Sequence, residues 1–387
     1  MDFGFTEEQN LLRSSMEEFC AKEMPREKVR EWDETVDFVP DDLWDKMADI
    51  GFFSYSVPPE YGGEGSDMVT MMAAFEVLCK YSTAIALGVG ATIGFGARTV
   101  NELGTEEHKR DILPRLAEGK VKFSMGLTEP AGGTDILGAL SSSAVRDGDD
   151  WIINGQKIYI TGAHRADYIS TIVITDRESP KRSRALSTFL VPRESEGLDI
   201  RVIPKVGCHA CAACEIFYDN VRVPASAMVG TLNNGWYEML TTLNPERIGV
   251  AMISLGLAEA VFEDSLAYSK ERMAFGKPIG QFMAIQHYLA DMAIEIELAR
   301  NLIYKCAWLC DSGLPYHVEA SMAKIYAADI SLKAATTGME IFAGYGYTME
   351  SDIQRYWRDS QQMVFSPISQ EMGRNFIAQC YQLPKSF

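Results

Sequence analysis

A β-rich segment lies between two long helical segments, and this order constrains the fold more than any other feature of the chain. Residues 121–232 contain runs of alternating and β-branched residues that are typical of strands. Residues 1–120 and 233–387 instead show apolar residues at helical spacing. Helices, then strands, then helices predict an α+β fold of three domains with these boundaries, because the helices are segregated from the sheet.

The composition limits what the chain is expected to bind. Its formal net charge of −18 argues against nucleic acid and against an anionic membrane surface as partners. We see no secretion signal, no transit peptide and no apolar run of about 18 residues, so we expect no transmembrane helix. Eight cysteines without a secretion signal favour reduced thiols. We therefore expect a cytoplasmic protein that binds neither nucleic acid nor a membrane.

Two glycine-containing motifs in the middle segment are candidates for ligand binding. The first, F-S-M-G-L-T-E-P-A-G-G-T-D (123–135), begins as a strand and ends in a glycine-rich turn. Its glycines allow close backbone approach, and its hydroxyl and N–H groups suit phosphate and carbonyl oxygens. The second, N-G-Q-K-I-Y-I-T-G (154–162), is a predicted strand whose alternation points Tyr159 and Thr161 the same way. Each motif alone is explained equally well as an ordinary turn or strand.

Five motifs, in this order and along the whole chain, together resemble the acyl-CoA dehydrogenase family: L-T-E-P-A-G-G-T-D (127–135), N-G-Q-K-I-Y-I-T-G (154–162), R-M-A-F-G-K-P-I (272–279), F-A-G-Y-G-Y (342–347) and R-Y-W-R-D (355–359). The resemblance implies a helical N-terminal domain, a middle β-barrel or sandwich domain, and a C-terminal domain of the four-helix-bundle type. It also implies FAD as the cofactor and an acyl-CoA as the substrate. The implied partners are three further copies, in a homotetramer, and an electron-transfer flavoprotein.

The resemblance assigns contacts with FAD residue by residue. It implies that Thr128 donates to the polar edge of the flavin, that Thr161 donates near flavin N5, and that Tyr159 lies against the ring. The residues implied on this side of FAD are Met125, Leu127, Thr128, Gly133, Thr134, Tyr159 and Thr161. The resemblance implies a second group of FAD contacts, formed by Arg272, Phe275, Glu340 and Gly344. Of these, Arg272 and Phe275 are implied to come from a neighbouring subunit. The family usually has glutamine at the positions of Met283 and Glu340, and glycine at that of Ala343.

The catalytic base is absent from its usual position in the family. That base is a glutamate a few residues after an Arg-Asp pair, and counting from Arg358-Asp359 places Pro367 there. Proline cannot accept a proton. Some members, isovaleryl-CoA dehydrogenase among them, carry the base on an earlier helix just before an arginine, and Glu246 followed by Arg247 matches that pattern. The competing interpretation is that Asn244-Pro245-Glu246 opens the helix, whose dipole favours a first-turn glutamate.

A predicted helix at 85–97 is unusually rich in small residues, including Gly90 and Ala91. Glycine inside a helix costs about 1 kcal/mol relative to alanine, so the pattern indicates either close packing or a need for space. In the resembled family this region borders the acyl pocket, and the substrate-side residues implied are Thr134, Gly90, Ala91, Arg247 and Pro367.

Three functions follow from these features. The first is oxidation of a branched or cyclic acyl-CoA, for example of the cyclohexane- or cyclohexene-carboxyl-CoA type. The second is the reverse reaction, in an enoyl-CoA reductase. The third is a non-oxidising family member that binds CoA thioesters.

The run C-H-A-C-A-A-C (208–214) has the spacing of metal or iron–sulfur ligands. It lies in a predicted β segment without an obvious fourth ligand nearby, so we expect small side chains near a pocket and no metal site.

Overall fold

The structure is a computed structural model and describes residues 4–384. Its N-terminal domain is helical. Thr6, Asp67 and Thr105 each accept a hydrogen bond from a backbone N–H three residues on, and so cap the helices that follow them. The helices are α1 (Glu7–Glu23), α2 (Arg26–Thr35), α3 (Asp41–Asp49), α4 (Met68–Tyr81), α5 (Thr83–Gly90), α6 (Ala97–Leu103) and α7 (Glu106–Ala117).

The middle domain is built on one sheet with the strand order β6-β7-β3-β2-β4-β5-β8, and β1 pairs in parallel with β4. The two halves of this sheet meet only where Ser143 pairs with Ile174, and the Trp151 and Phe189 rings pack 5.5 Å apart in the core. The elements are β1 (Phe123–Gly126), α8 (Ile136–Ala139), β2 (Ser143–Asp147), β3 (Asp150–Thr161), β4 (Tyr168–Ile174), β5 (Leu186–Pro192), β6 (Leu198–Ile203), β7 (Ala213–Pro224) and β8 (Met228–Val229).

Long helices form the C-terminal domain, and α9 packs on α4, α10 and α11. One buried hydrophobic cluster runs through the helices of both the N-terminal and the C-terminal domain. The elements are α9 (Gly235–Glu271), β9 (Met273–Ala274), β10 (Lys277–Pro278), α10 (Met283–Asp311), α11 (His317–Phe342), α12 (Asp352–Phe365) and α13 (Gln370–Cys380). The predicted fold class of helices, strands and helices is confirmed.

Helix α9 begins nine residues earlier than predicted, at Gly235, and Pro245 lies inside it. The prediction that Asn244 opens the helix was wrong. Proline lacks one backbone N–H and so removes one helical hydrogen bond, and here the burial of the surrounding helix outweighs that loss. Glu246 is therefore not a first-turn residue, and the helix dipole does not account for it.

A helical run at 83–103 is long and apolar enough to cross a membrane by length and composition, which the sequence analysis did not anticipate. Within this run, residues 91–96 form a π-helix between α5 and α6. Of its most apolar window, 72% is buried inside the protein, where α5 belongs to the shared helical core. Burial of this kind is typical of a core helix in a folded domain.

One ion pair and one buried hydrogen bond connect the R-Y-W-R-D motif on α12 to other parts of the chain. Arg358 lies 2.6 Å from Asp33 on α2, and Asp359 accepts a 2.5 Å hydrogen bond from the backbone N–H of Cys208. Cys208 and Cys211 lie in a buried turn before β7. The prediction that they lie in a β segment was wrong. No cluster of His, Cys, Asp or Glu that could hold a metal occurs in residues 4–384.

Candidate active site

The two glycine-containing motifs of the middle domain lie side by side. The backbone N–H of Ile158 donates to the carbonyl of Thr128 at 2.9 Å. The Ser124 hydroxyl donates to the carbonyl of Thr161 at 2.6 Å. The loop after β1 is thereby fixed against the end of β3, and the residues implied to contact the flavin ring converge at one place.

A buried ion pair that the sequence analysis did not single out holds this junction. Lys157 on β3 is fully buried and lies 2.8 Å from Glu129 in the loop after β1. Glu129 also accepts hydrogen bonds from Ser141 and Ser142. Burial opposes its ionisation, but Lys157 and these hydrogen bonds lower the pKa of Glu129 to about 2. The feature of the sequence that could have revealed this ion pair is the lysine itself, which stands at an inward-facing position of a strand.

Tyr159 interrupts the alternation of β3. Its φ is 61°, and the pairing of β3 with β7 shifts register between Lys157 and Ile160. Strict alternation therefore does not hold across Tyr159, because a bulge interrupts the regular pattern of the strand there. The ring of Tyr159 is 65% exposed. The hydroxyls of Thr128 and Thr161 have no hydrogen-bond partner among residues 4–384, so both are free to donate to a ligand.

The glycine-rich turn after β1 is open to solvent. Gly133 and Thr134 are exposed, and a side chain added at Gly133 would meet no atom within 4 Å. Asp135 accepts a 3.0 Å hydrogen bond from Gly138 and caps α8. Leu127 is buried in a cluster under this turn, with Met125 packed against the cluster. The turn thus has a rigid base and a free backbone surface.

Glu246 lies in α9 with its Oε2 enclosed by protein and without a hydrogen-bond partner in the described chain. Burial raises the pKa of Glu246 to about 8, and the charge of Arg247 opposes this only in part. Arg247 donates to the side-chain oxygen of Asn244 at 2.6 Å and lies over the ring of Phe376, 5.6 Å from its centroid. An enclosed carboxylate whose pKa lies near neutral pH is well suited to general acid–base catalysis.

The sequence analysis left open whether the glycines at 85–97 allow close packing or leave space, and the structure shows both among them. A Cβ at Gly96 would lie 2.5 Å from the ring of Phe123, so this residue is needed for close packing. A Cβ at Gly94 would meet nothing within 4 Å, and the same holds for Gly249, three residues after Glu246. The sequence analysis did not single out Gly249. Gly90 permits an ordinary contact with the ring of Phe75. The residue after it, Ala91, is buried.

The segment around Pro367 is anchored by a buried lysine. Lys324 on α11 donates to the carbonyl of Val364 at 3.2 Å and to that of Ile368 at 2.6 Å, one on each side of Pro367. Burial lowers the pKa of Lys324 to about 8. The positive charge of Arg247 also lowers the pKa of Lys324. The segment around Pro367 is therefore within electrostatic reach of Arg247, the residue next to Glu246.

The remaining predicted cofactor residues lie at one end of the C-terminal helices. Arg272 ends α9, and Phe275 stands at the tip of the β9–β10 hairpin with φ 52° and 96% exposure. Glu340 and Gly344 lie at the exposed end of α11. The stacked rings of Tyr268 and Phe342, with centroids 4.1 Å apart, hold the ends of α9 and α11 together. No described contact brings this group to the motifs of the middle domain.

The side chains fit a flavin dinucleotide in type. Unpartnered hydroxyls, an open glycine turn and an exposed aromatic residue lie at the junction of β1 and β3, and Arg272 has no ion pair among residues 4–384. A guanidinium can bind a pyrophosphate with two parallel hydrogen bonds. Glu340 also has no ion pair within the described residues, and its charge opposes phosphate binding.

Comparisons with known proteins cover nearly the whole chain. Family models described as the N-terminal, middle and C-terminal domains of acyl-CoA dehydrogenase match residues 6–120, 124–221 and 233–381. A short-chain-specific acyl-CoA dehydrogenase of Clostridium acetobutylicum is 37% identical, over 93% of this chain and 94% of its own length. The caffeyl-CoA reductase-Etf complex subunit CarC of Acetobacterium woodii is 34% identical, over 92% and 93%. The butyryl-CoA dehydrogenase structure from Megasphaera elsdenii is 32% identical, with a TM-score of 0.94 over 99% and 100%.

Proposed function

We propose, from the premise that this chain belongs to the acyl-CoA dehydrogenase family and is an FAD-dependent oxidoreductase of acyl-CoA thioesters, that Glu246 is the catalytic base. The observation that carries the proposal is the enclosed and unpartnered Oε2 of Glu246. Burying a carboxylate without a partner is costly, and such groups cluster at functional sites. The usual base position holds Pro367, which leaves the proton-transfer role open for Glu246.

In this mechanism the protein positions the thioester and moves one proton. Thr128 and Thr161 would hold the flavin ring of FAD, and Arg272 of a neighbouring subunit would hold its pyrophosphate. When bound, FAD supplies the acceptor for the hydride that leaves the β carbon. Glu246 Oε2 takes the proton from the α carbon, and its raised pKa makes it a stronger base than an ordinary carboxylate once ionised. Arg247 limits how far that pKa rises.

The substrate we propose carries a branched or cyclic acyl group. Gly94 and Gly249 each leave open space where a side chain would otherwise stand, and Gly249 is one turn of α9 from Glu246. Removing side chains from a pocket wall admits a wider acyl group. A substrate of the cyclohexane- or cyclohexene-carboxyl-CoA type is our example of such a group.

Anaerobic mixing of the FAD-loaded protein with a panel of acyl-CoA thioesters tests the substrate proposal. The panel contains straight, branched, cyclic and dicarboxylic acyl groups, and bleaching of the flavin absorbance reports oxidation. We expect the fastest bleaching with a branched or cyclic group. Faster bleaching by straight-chain thioesters would contradict the proposal about the pocket while leaving the proposal about Glu246 intact.

The reverse reaction is the second candidate, and one observation favours it. A pKa of about 8 leaves Glu246 mostly protonated at neutral pH, which suits an acid that donates a proton to the α carbon of an enoyl-CoA. One relative of this chain is named as a reductase subunit in a complex with Etf. Reoxidation of the reduced flavin by enoyl-CoA thioesters, without bleaching by any saturated thioester, would select this direction. The family membership supports an oxidoreductase, so we do not propose a non-oxidising function.

The partners we propose are an electron-transfer flavoprotein and further copies of this chain in a homotetramer. The relative in a complex with Etf supports the first. The second is supported by the β9–β10 hairpin, which exposes the apolar residues Met273 and Phe275, and by Met283 at the start of α10. We also propose a cytoplasmic location, for which the support is that every cysteine is unpaired and most are buried.

A further inference from the structure

A histidine, a cysteine and an aspartate meet just after the end of β3. The Nδ1 atom of His164 lies 3.3 Å from the Sγ atom of Cys214, and its Nε2 atom lies 3.3 Å from Oδ1 of Asp37. The three residues, defined here as the histidine link, come from the turn after β3, from β7 and from the segment after α2. The histidine link therefore joins the middle domain to the N-terminal domain, and it gives Cys214 a specific partner.

The histidine link lacks the access that a nucleophilic triad needs. Cys214 is completely buried, and burial raises the pKa of its thiol, which the backbone N–H groups of Ala163 and His164 oppose only in part. The protonated thiol donates to Nδ1 of His164, so a neutral imidazole carries its own proton on Nε2. That nitrogen faces Asp37 but has no aligned hydrogen-bond partner among residues 4–384. The bond to Cys214 is therefore the contact that fixes the imidazole.

The histidine link lies beside the residue that pairs with Thr161. Thr161 ends β3 opposite Ala213, and Cys214 is the next residue on β7. His164 follows Thr161 by three residues and bonds back to Cys214, so its side chain closes the turn onto β7. The carbonyl of Thr161 also accepts the 2.6 Å hydrogen bond from Ser124. The backbone of Thr161 is thereby held both by β7 and by β1.

Backbone hydrogen bonds tie the same turn to its neighbours. The N–H of Gly162 donates to the carbonyl of Ala212 at 2.8 Å, and the N–H of Ala212 donates to the carbonyl of Asp37 at 2.7 Å. Gly162 has φ 64°, and a Cβ there would clash with the ring of Phe38. Because the turn is packed this closely, a shift of its histidine is transmitted to the residue before Gly162, which is Thr161.

We propose that His164 is a positioning residue, which holds the turn after β3 so that the Thr161 hydroxyl points at the flavin. This inference rests on the proposed function, in which Thr161 holds the flavin ring of FAD. A hydroxyl donates well only within a limited range of angles, and a misplacement of about 1 Å in an active site can cost about 100-fold in rate. Loss of the bond to Cys214 acts on the flavin through Thr161, and His164 itself does not touch the cofactor.

Two pairs of variants test this proposal in the FAD-loaded protein. His164→Ala and Cys214→Ala remove the bond, whereas His164→Asn and Cys214→Ser each keep a hydrogen-bonding atom near its place. Arg165→Ala is the matched control, because Arg165 lies in the same turn and pairs with the exposed Asp41. We expect either alanine variant to shift the visible absorbance maxima of the flavin and to lower the limiting rate of flavin reduction at least about 10-fold. The two conservative variants and the control should stay near the wild type.

Hydrogen exchange gives a readout that depends neither on the flavin spectrum nor on turnover. The amide of Gly162 should exchange at least about 10-fold faster in His164→Ala than in the wild type, because its bond to Ala212 opens more often. In His164→Asn the slow exchange should return. Unchanged exchange at Gly162 in His164→Ala would overturn the proposal, since the histidine would then not hold the turn.

The remaining outcomes separate this inference from the proposed function. An unchanged flavin spectrum and rate in both alanine variants would overturn the inference even if the variants unfold at a lower temperature, because the histidine link would then be only structural. Equal losses in His164→Ala and His164→Asn would also overturn it, since the bond to Cys214 would not be the cause. Thr161→Val tests the flavin contact itself: a changed flavin spectrum there leaves the proposed function standing whatever His164 does, and an unchanged one refutes that contact and the inference with it.

Discussion

Replacing Glu246 with glutamine should remove a specific pH dependence from the stability of the protein. In the folded state burial raises the pKa of this carboxyl from 4.5 to about 8. Between these pH values the folded protein keeps a proton that the unfolded chain releases, so stability falls as pH rises. The contribution is at most about 1.4 kcal/mol per pH unit, and at most about 5 kcal/mol over the whole window. Glutamine does not ionise, so the stability of Glu246→Gln should not show this decrease with rising pH.

The assay is urea unfolding of both proteins at several pH values from 5 to 8, with FAD in constant excess. We expect the stability of the wild type relative to Glu246→Gln to decrease steadily towards pH 8. Glu263→Gln is a matched control, because Glu263 lies on the same helix with its side chain 55% exposed. Parallel pH profiles for wild type and Glu246→Gln would refute the claim that the carboxylate is buried without compensation.

Four further substitutions test the packing around the site. Ala343→Gly should stabilise the protein by about 1 kcal/mol in thermal unfolding, because Ala343 has φ 50° and ψ −134°, a conformation that favours glycine; an unchanged Tm would contradict this. Glu129→Gln should cost about 3–5 kcal/mol and weaken FAD retention, because it leaves Lys157 buried and unpaired, and adding Lys157→Met should recover part of the loss. Gly96→Ala should cost about 1–3 kcal/mol through overpacking. Gly94→Ala should instead keep the Tm and shift flavin bleaching towards narrower acyl groups, and equal effects of the two substitutions would contradict their separate roles.

Local patterns in the sequence predicted the elements whose signals are local. Helix α4 spans Met68–Tyr81 within residues 1–120, and α10 and α11 lie within residues 233–387, the two segments whose apolar spacing predicted helices. The start of α9 was not predictable in this way, because Pro245 is a local signal against helix and the packing that overrides it is tertiary. The π-helix at 91–96 likewise has no local signal beyond its glycines.

The candidate site shows the same division. The motifs predicted that residues near 128 and 160 lie together, and the backbone bond from Ile158 to Thr128 joins them. The bulge at Tyr159 depends on pairing with β7, a strand more than fifty residues away, so alternation within β3 did not reveal it. The partnership of Lys157 with Glu129 needs the two segments in contact before it exists. Whether a glycine opens space, as at Gly94, depends on what faces it, and sequence alone contains no such information.

The most direct test of the proposal that Glu246 is the base is anaerobic flavin reduction in Glu246→Gln, with Glu263→Gln as the control. The substrate is the acyl-CoA that bleaches the wild-type flavin fastest. We predict that Glu246→Gln retains FAD and a normal visible spectrum, while its rate of flavin reduction falls at least about 1,000-fold, since removing a positioned base costs about that much. Glu263→Gln should react like the wild type. Reduction of the Glu246→Gln flavin at a rate near that of the wild type would contradict the account, and the proton would then have to be taken by another group.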